Sequence, residues 1–315
     1  MDLPTMLRPS LIFRRIASRA PTASDLGEVI VMRLAAVSLG FGAPSGDFTA
    51  AVAAVHPRVC VLSLSDHSLL TLVAPEIGRL PRGIGFETPS GFAFEKAFRA
   101  GADVAARAGI LRIASTQLSI DLRRAAAWRS PLADLRLDGT REPVGNALKT
   151  ARAALAEDGR NLGLACVASA LLTELAAATR ALDGKNAEQA ISGLVGLGEG
   201  ATPAADDFLV GYLAGLWACS ARNEPRIAFV AAVVARVRQL ASLTGAVSRA
   251  YLEAAAEGEV SERLYDLALH VSAGSGTEAI RRASAAALAV GHSSGACGLQ
   301  GFLDACSCWA EPNPA

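Results

Sequence analysis

The chain has 315 residues, is 51% hydrophobic and carries 30 basic and 30 acidic residues, so its formal net charge is zero. A balanced charge offers no general attraction to nucleic acid or anionic lipid, which excludes both as expected partners. The longest apolar runs, at residues 208–221 and 227–235, are too short to span a bilayer, so we expect no membrane span.

The start of the chain and its cysteines indicate the compartment. Arg8, Arg14, Arg15 and Arg19 give a weak likeness to a transit peptide, but the continuous apolar core of a secretory signal is missing. We therefore expect a basic strand or loop that belongs to the mature protein. The six cysteines form no C-x-x-C pair and no histidine stands at zinc-finger spacing, which predicts reduced, mostly buried thiols, a cytoplasmic location, and neither metal nor cofactor.

Residues 29–123 are rich in short apolar runs separated by turn signals, which predicts strands. The predicted strands are residues 29–37, 59–64, 69–73, 110–114 and 118–122. Glycines recur between them at intervals typical of a small barrel or sandwich. This half shows no pattern that we assign to chemistry.

The composition changes between residues 130 and 142, where Pro131, the pair Asp138-Gly139 and the directly following Pro143 mark a boundary. We expect an α+β chain, with a β-rich domain over residues 1–135 and a mainly helical domain over residues 136–315. Helical periodicity and caps predict nine helices, near residues 143–157, 161–182, 186–195, 203–221, 227–243, 245–257, 260–271, 277–290 and 294–309.

A glycine-rich stretch directly precedes the most apolar of these helices. Gly196, Gly198 and Gly200 alternate with other residues and allow positive φ, so the backbone can fold tightly around a small group. Thr202 is a good N-cap and Pro203 a good first helical residue. The free N–H groups and the positive end of the helix dipole favour an anion, which makes Gly198, Gly200 and Thr202 candidate substrate-binding residues.

A second glycine-rich helix start lies at residues 291–301. Ser293 or Ser294 is placed to cap this helix, and both are binding candidates together with Gly295. Each of the two helices has a face of small residues, which predicts that they pack with their N-termini side by side and share an anion pocket. The alternative is that the glycines serve close packing alone and the serines capping alone. The small residues are Gly211 and Gly215 in the first helix and Ser294, Gly298 and Gly301 in the second.

Polar residues near these motifs are the candidate catalytic groups. Asp206 and Asp207 open the apolar helix, where they either complement the dipole or, if buried, require a cation, an arginine or a substrate amide. His292 is either a hydrogen-bonded core residue or a proton-transfer group. Thr244 and Ser248, one helical turn apart, either face the pocket or bond to their own helix. The nearest cationic candidates are Arg249, Arg281 and Arg282.

The patterns G-L-G-x-G-x-T-P-x-x-D-D-F-L-x-G over residues 196–211 and G-H-S-S-G-x-x-x-L-x-G over residues 291–301 resemble a bacterial family that includes AllH, a subunit of oxamate carbamoyltransferase. The resemblance covers about residues 190–305. A middle block of the family is matched by Thr244 and Ser248, followed by Tyr251, Leu252, Ala255 and Gly258.

This resemblance implies one subunit of an assembly with FdrA-like and AllG-like partners. The assembly moves a carbamoyl group between carbamoyl phosphate and an amide such as oxamate in allantoin and purine nitrogen catabolism. The chain departs from the family pattern at Ala204 and Ala205, where Ser and Gly are expected, and at Cys297, where an Asp is usual.

We interpret the chain as a carbamoyltransferase subunit. The helix N-termini would hold substrate oxygens, Asp206 or Asp207 would orient the attacking amide nitrogen, and His292 would relay a proton. The alternative is a non-catalytic scaffold or ligand-sensing subunit of such an assembly. The small-faced helices and the apolar C-terminal half predict a homo-oligomer or a recruited partner.

Overall fold

The computed structural model describes residues 32–114, 116–160, 162–221 and 223–310. It consists of an N-terminal eight-stranded β-barrel followed by a helical region, which confirms the predicted α+β class and the order of its two parts. The arginine-rich start and the first three residues of the predicted strand 29–37 lie outside the described residues.

The barrel closes through its first strand. Around the barrel the strands follow the order β1-β5-β4-β3-β2-β6-β7-β8 and return to β1. The first half of β1 pairs in parallel with β8, its second half pairs with the additional strand β9, and β5 pairs antiparallel on its other side. The strands are β1 (Met32–Gly40), β2 (Phe48–His56), β3 (Val59–Leu64), β4 (Leu69–Val73), β5 (Gly83–Phe86), β6 (Asp103–Arg107), β7 (Ile110–Ile113), β8 (Leu118–Asp121) and β9 (Ala126–Trp128).

Side chains fill the interior of the barrel. Its buried residues are mainly leucines, isoleucines and valines of the strands, together with an aromatic cluster. In this cluster Phe94, on the short helix α1 (Phe94–Ala97), lies between Phe86 and Phe98, with ring centroids 5.6 and 5.2 Å away. The interior of the barrel is therefore a close-packed hydrophobic core. This agrees with the absence of a sequence pattern that we could assign to chemistry in this half.

The helical region contains nine longer helices among the described residues, and all nine coincide with predicted ones to within a few residues. In this part of the chain no helix is long and apolar enough to cross a membrane. The helices are α2 (Glu142–Asp158), α3 (Leu162–Ala181), α4 (Gly184–Leu194), α5 (Ala204–Ser220), α6 (Glu224–Leu240), α7 (Ala246–Ala256), α8 (Glu262–Ser272), α9 (Thr277–Leu288) and α10 (Ser294–Ala310).

The segment between barrel and helices packs onto the helical region. Ser130 is fully buried, and its N–H donates to Glu259 Oε2 at 2.6 Å. Leu132 and Leu137 belong to the helical core, and the N–H of Leu137 donates to the carbonyl of Ala218 in α5 at 2.8 Å. The composition break therefore marks a change of secondary structure, and the division into two domains at residue 135 remains a prediction.

Helix α5 is the centre of the helical region and packs in parallel with α10. A Cβ on Gly211 would lie 1.8 Å from the carbonyl oxygen of Gly298, and one on Gly301 would lie 2.0 Å from that of Phe208. Because these distances are shorter than any real Cβ contact, only glycine permits such close backbones. The prediction that two small-faced helices pack side by side is confirmed.

Helix α7 also runs parallel to α5. The hydroxyl of Thr244, just before α7, contacts Asp206 at the start of α5, and Trp217 Nε1 near the end of α5 donates to the carbonyl of Ala255 near the end of α7. The three helices α5, α7 and α10 therefore begin at one end of the region. At the opposite end, two arginines donate hydrogen bonds to carbonyls in the last turns of these three helices. Arg226 donates to the carbonyls of Cys219 in α5 and Trp309 in α10, and Arg238 donates to that of Ala256 in α7.

Candidate functional site

The loop between α4 and α5 has positive φ at every second residue. The values are 79° at Gly196, 124° at Gly198 and 93° at Gly200, whereas Leu197 and Glu199 between them have negative φ. A Cβ on Gly198 would lie 2.7 Å from the amide nitrogen of α5's first residue, while the space beside Gly200 is open. The loop thus needs glycine for its backbone conformation, and at residue 198 for space as well.

This loop presents unpaired backbone donors. Within the described ranges, the N–H groups of residues 198–202 have no hydrogen-bond acceptor. Successive backbone N–H groups without an acceptor are the kind of donor that binds anions in many proteins. The loop is exposed from residue 198 to residue 201, so a ligand can reach these donors from solvent.

The start of α5 differs by one residue from the prediction. Pro203 occupies the N-cap position, and no side chain forms a capping hydrogen bond there. The prediction that Thr202 is the N-cap is therefore wrong. The Thr202 hydroxyl lies instead 3.2 Å from the hydroxyl of Ser294, the first residue of α10. Ser293 stands immediately before that helix. This pair of hydroxyls joins the N-termini of the two helices.

Gly295 has a packing role in the second motif. A Cβ at this position would lie 2.2 Å from the carbonyl oxygen of Ala287 near the end of α9, so the glycine lets α10 begin against α9. Its assignment to substrate binding remains a prediction.

Asp206, in the first turn of α5, connects the glycine loop to the start of α7. Its side chain is 1% exposed. Oδ1 accepts the N–H of Gly196 at 2.8 Å, and Oδ2 accepts the hydroxyl of Thr244 at 2.5 Å. Because both carboxylate oxygens have a donor, Asp206 is suited to holding the loop and the start of α7 in place rather than to reaction with a ligand.

Asp207 lies at the meeting point of α5, α7 and α10, and its carboxyl group is less satisfied. Its Oδ2 is buried and finds no hydrogen-bond partner among the residues described. Burial and, less strongly, the neighbouring Asp206 raise the pKa of this carboxyl to about 6, while the nearby hydroxyls of Ser294 and Thr202 act in the opposite direction. A buried acceptor without a donor is costly unless a ligand supplies the donor.

Three further side chains complete this cluster. Ser248 in α7 is 2% exposed, and its hydroxyl likewise has no partner in the described part of the chain. Burial and then the charge of Asp207 raise the pKa of Tyr251 to about 12 and that of Cys297 to about 11. Both groups are therefore neutral near pH 7. Residue patterns had identified Ser248, whereas Tyr251 was indicated by the family block alone.

His292, the one histidine predicted as a site residue, lies at the surface. The side chain of His292 is exposed, and its carbonyl accepts a hydrogen bond of 2.8 Å from Arg160 Nη1. It is therefore not the core histidine that was one of the two expectations. A role in proton transfer remains a prediction.

None of the predicted cationic residues forms a hydrogen bond or an ion pair with the loop among the described residues. Arg249 bonds Glu253 one turn along its own helix at 2.7 Å, Arg281 faces Glu157 at 4.0 Å, and Arg282 lines a separate cleft. The groups at the loop that favour an anion are thus backbone N–H groups and helix N-termini. In the ranges that the structure describes, no group of three or more His, Cys, Asp or Glu residues is arranged to hold a metal ion.

These features define a helical region in which a glycine-rich loop with free N–H groups lies beside a carboxyl group that has a buried, unpartnered oxygen. Residues 194–306 match the family model of the oxamate carbamoyltransferase subunit AllH. This range begins at the end of α4, ends in α10 and contains the loop, Asp207 and Ser248, so the resemblance predicted from the two glycine motifs is confirmed. No curated protein and no solved structure matches the chain.

Proposed function

We propose that this protein is a subunit of a carbamoyltransferase that binds carbamoyl phosphate at the glycine loop and a small carboxylate amide, such as oxamate, beside Asp207. The family match supports the reaction class. The observation that carries the site is the buried, unpartnered Oδ2 of Asp207 beside a loop of free N–H groups. A primary amide supplies the donor that this oxygen lacks.

The reaction requires one bond to form and one to break. The amide nitrogen attacks the carbamoyl carbon, the carbon–oxygen bond to phosphate breaks, phosphate leaves with the electron pair, and the nitrogen loses a proton. Loop N–H groups and the helix N-termini stabilise charge on the phosphate oxygens. Asp207 Oδ2 accepts an amide N–H and orients the nitrogen. With a pKa of about 6, Asp207 is mostly ionised near pH 7 and can accept the proton, with exposed His292 as the relay to solvent.

The assembly is part of this proposal. No arginine or lysine among the described residues forms a hydrogen bond or an ion pair with the loop, although sites for phosphorylated ligands commonly use such side chains. We propose that a partner subunit of the FdrA-like or AllG-like kind, or a second copy of this chain, supplies a cationic side chain to the loop. We place this assembly in the cytoplasm. The metabolic setting is nitrogen catabolism from purines and allantoin.

A second candidate is a non-catalytic scaffold or ligand-sensing subunit. The observation in its favour is the loss of polar groups around the loop. Ala204 stands where a Ser is expected in the family, and Cys297, where the family usually has an Asp, is a buried thiol whose raised pKa keeps it neutral. A site with fewer polar groups can still bind an anion without performing the transfer.

The test is carbamoyl phosphate turnover by the chain purified with its genomic neighbours. We expect Asp207→Asn to leave a folded assembly with turnover lowered about 100-fold or more. The control is Glu199→Gln, which removes one exposed charge from the same loop and should retain activity. Calorimetry with carbamoyl phosphate, phosphate and oxamate accompanies the assay. Unchanged turnover in Asp207→Asn supports the scaffold, and a wild-type assembly that binds none of the three ligands overturns the proposal.

A further inference from the structure

A second cleft opens between α8 and α9. It has a volume of about 180 Å³, and none of its lining residues belongs to the glycine loop, α5, α7 or α10. On α8 the lining residues are three, four and seven positions apart, and on α9 they follow the same helical spacing, so each helix contributes one face. The lining consists of Arg263, Asp266 and His270 from α8 and Ala279, Arg282, Ala283 and Ala286 from α9.

The polar groups of this cleft are only partly used within the chain. Arg282 has neither an ion-pair partner nor a hydrogen bond among the described residues. Arg263 donates through Nη2 to the carbonyl of Glu76 at 3.1 Å, which leaves its other N–H groups. Asp266 accepts no hydrogen bond within the same ranges, and His270 Nδ1 lies 3.1 Å from the hydroxyl of Ser275. The cleft thus offers two guanidinium groups and one carboxyl group.

These groups restrict the ligand. A simple anion would be attracted by the two arginines but repelled by the carboxylate of Asp266. A simple cation would be attracted by Asp266 but repelled by the arginines. A molecule with both a carboxylate and an N–H donor satisfies both. The alanines provide a small apolar floor, and the volume is well below the roughly 300–1,000 Å³ of drug-sized sites, so the molecule is short.

We infer that the α8–α9 cleft binds a short-chain carboxylic acid that bears a nitrogen donor, such as an amino acid. Its carboxylate lies on Arg282 and Arg263, its N–H group on Asp266, and its alkyl carbons on the alanines. This site is separate from the glycine loop, and the inference does not depend on the proposed transferase activity.

The location of the cleft indicates what such a ligand would affect. Helix α8 is tied to the barrel because the carboxylate of Glu262, beside Arg263, accepts hydrogen bonds from the N–H and guanidinium of Arg79. A ligand that joins α8 to α9 therefore stiffens the connection between the barrel and the helical region.

The experiment is a titration of the full chain with glycine, β-alanine and γ-aminobutyrate, each paired with the acid that lacks nitrogen: acetate, propionate and butyrate. Calorimetry and melting temperature are the readouts. We expect at least one amino acid to bind and to raise the melting temperature more than its partner acid does. Arg282→Gln and Asp266→Asn should each weaken that binding about tenfold or more.

The control is Arg281→Gln, which removes the neighbouring arginine outside the cleft and should leave the affinity unchanged. Asp207→Asn should also leave it unchanged, which separates this site from the glycine loop. The inference is overturned if no amino acid exceeds its partner acid, or if Arg281→Gln and Arg282→Gln weaken binding equally.

Discussion

Two adjacent carboxyl groups in this protein have different environments because neighbouring helical residues point about 100° apart. Asp206 points to the loop and to Thr244, which supply donors to both oxygens. Asp207 points between α7 and α10, where one oxygen has no donor among the described residues. The pair of acids is readily predicted from sequence. Which acid is satisfied depends on the positions of α7 and α10, and sequence spacing does not contain that information.

The raised pKa of Asp207 predicts a dependence of stability on pH. Its folded pKa of about 6 exceeds the ordinary value of 3.8 for an aspartate, so between these pH values the folded protein binds more protons than the unfolded chain. Stability therefore falls as the pH rises through this window. Asp207→Asn removes the penalty and should be more stable than wild type by on the order of 2 kcal/mol at pH 7, with little difference near pH 4.

Chemical unfolding of both proteins at several pH values measures this difference. Glu199→Gln, on the exposed part of the loop, is the matched control and should follow wild type. If Asp207 merely complemented the helix dipole, Asp207→Asn would instead lose about 0.3–1 kcal/mol at pH 7. A loss of stability in that variant would contradict our assignment.

At the scale of elements, the helices could be predicted well because their ends carry local signals. Asp183, Asn223 and Ser261 cap α4, α6 and α8, and Gly159 ends α2 with a left-handed backbone. Among strands, β3 and β4 were predicted at their observed bounds, while β2 was missed because its sequence, FTAAVAAVH, is rich in alanine. Strand β2 forms through its neighbours β3 and β6, which a local pattern does not contain.

The contact between α5 and α10 predicts opposite effects for two glycine substitutions. Gly211→Ala places a Cβ 1.8 Å from a backbone oxygen, so the helices must separate, and we expect a loss of about 3 kcal/mol or more. In Gly298→Ala the nearest atom is 3.6 Å away, an ordinary contact, and the higher helix propensity of alanine should add up to about 1 kcal/mol. Denaturant midpoints compare the two variants. Equal destabilisation would show that the backbones are not in such close contact.

On the scale of the whole molecule, Glu259 joins the barrel to the helices. Its side chain is 1% exposed and accepts hydrogen bonds from Arg129 Nε at 2.7 Å and from the N–H of Ser130. The composition break between residues 130 and 142 by itself predicts a protease-sensitive boundary. The buried packing of Ser130 and Leu132 instead leads us to expect that wild type resists cleavage beside these two residues.

Glu259→Ala should open this connection. The substitution leaves the buried N–H of Ser130 without its acceptor, so the segment unfolds locally more often. We expect trypsin to cut after Arg129 about tenfold faster, or more, than in wild type. Cleavage after Arg141, in an exposed turn, is the internal control and should be equal in both proteins. An unchanged rate after Arg129 would contradict the role of Glu259.

The common direction of α5, α7 and α10 makes the helical region electrically asymmetric. Three parallel dipoles repel one another. Arg226 and Arg238 offset the negative charge at the ends where these helices stop, and Asp206 and Asp207 in the first turn of α5 oppose the positive charge at the other end. Helix α5 has 17 residues and spans about 25 Å, so the arginines lie far from the loop. The proposed function therefore requires that the free N–H groups of the loop outweigh the two carboxyl groups and attract an approaching anion. In that case added salt should slow the capture of carbamoyl phosphate while changing its rate of release much less, and stopped-flow measurements at two salt concentrations would separate the two.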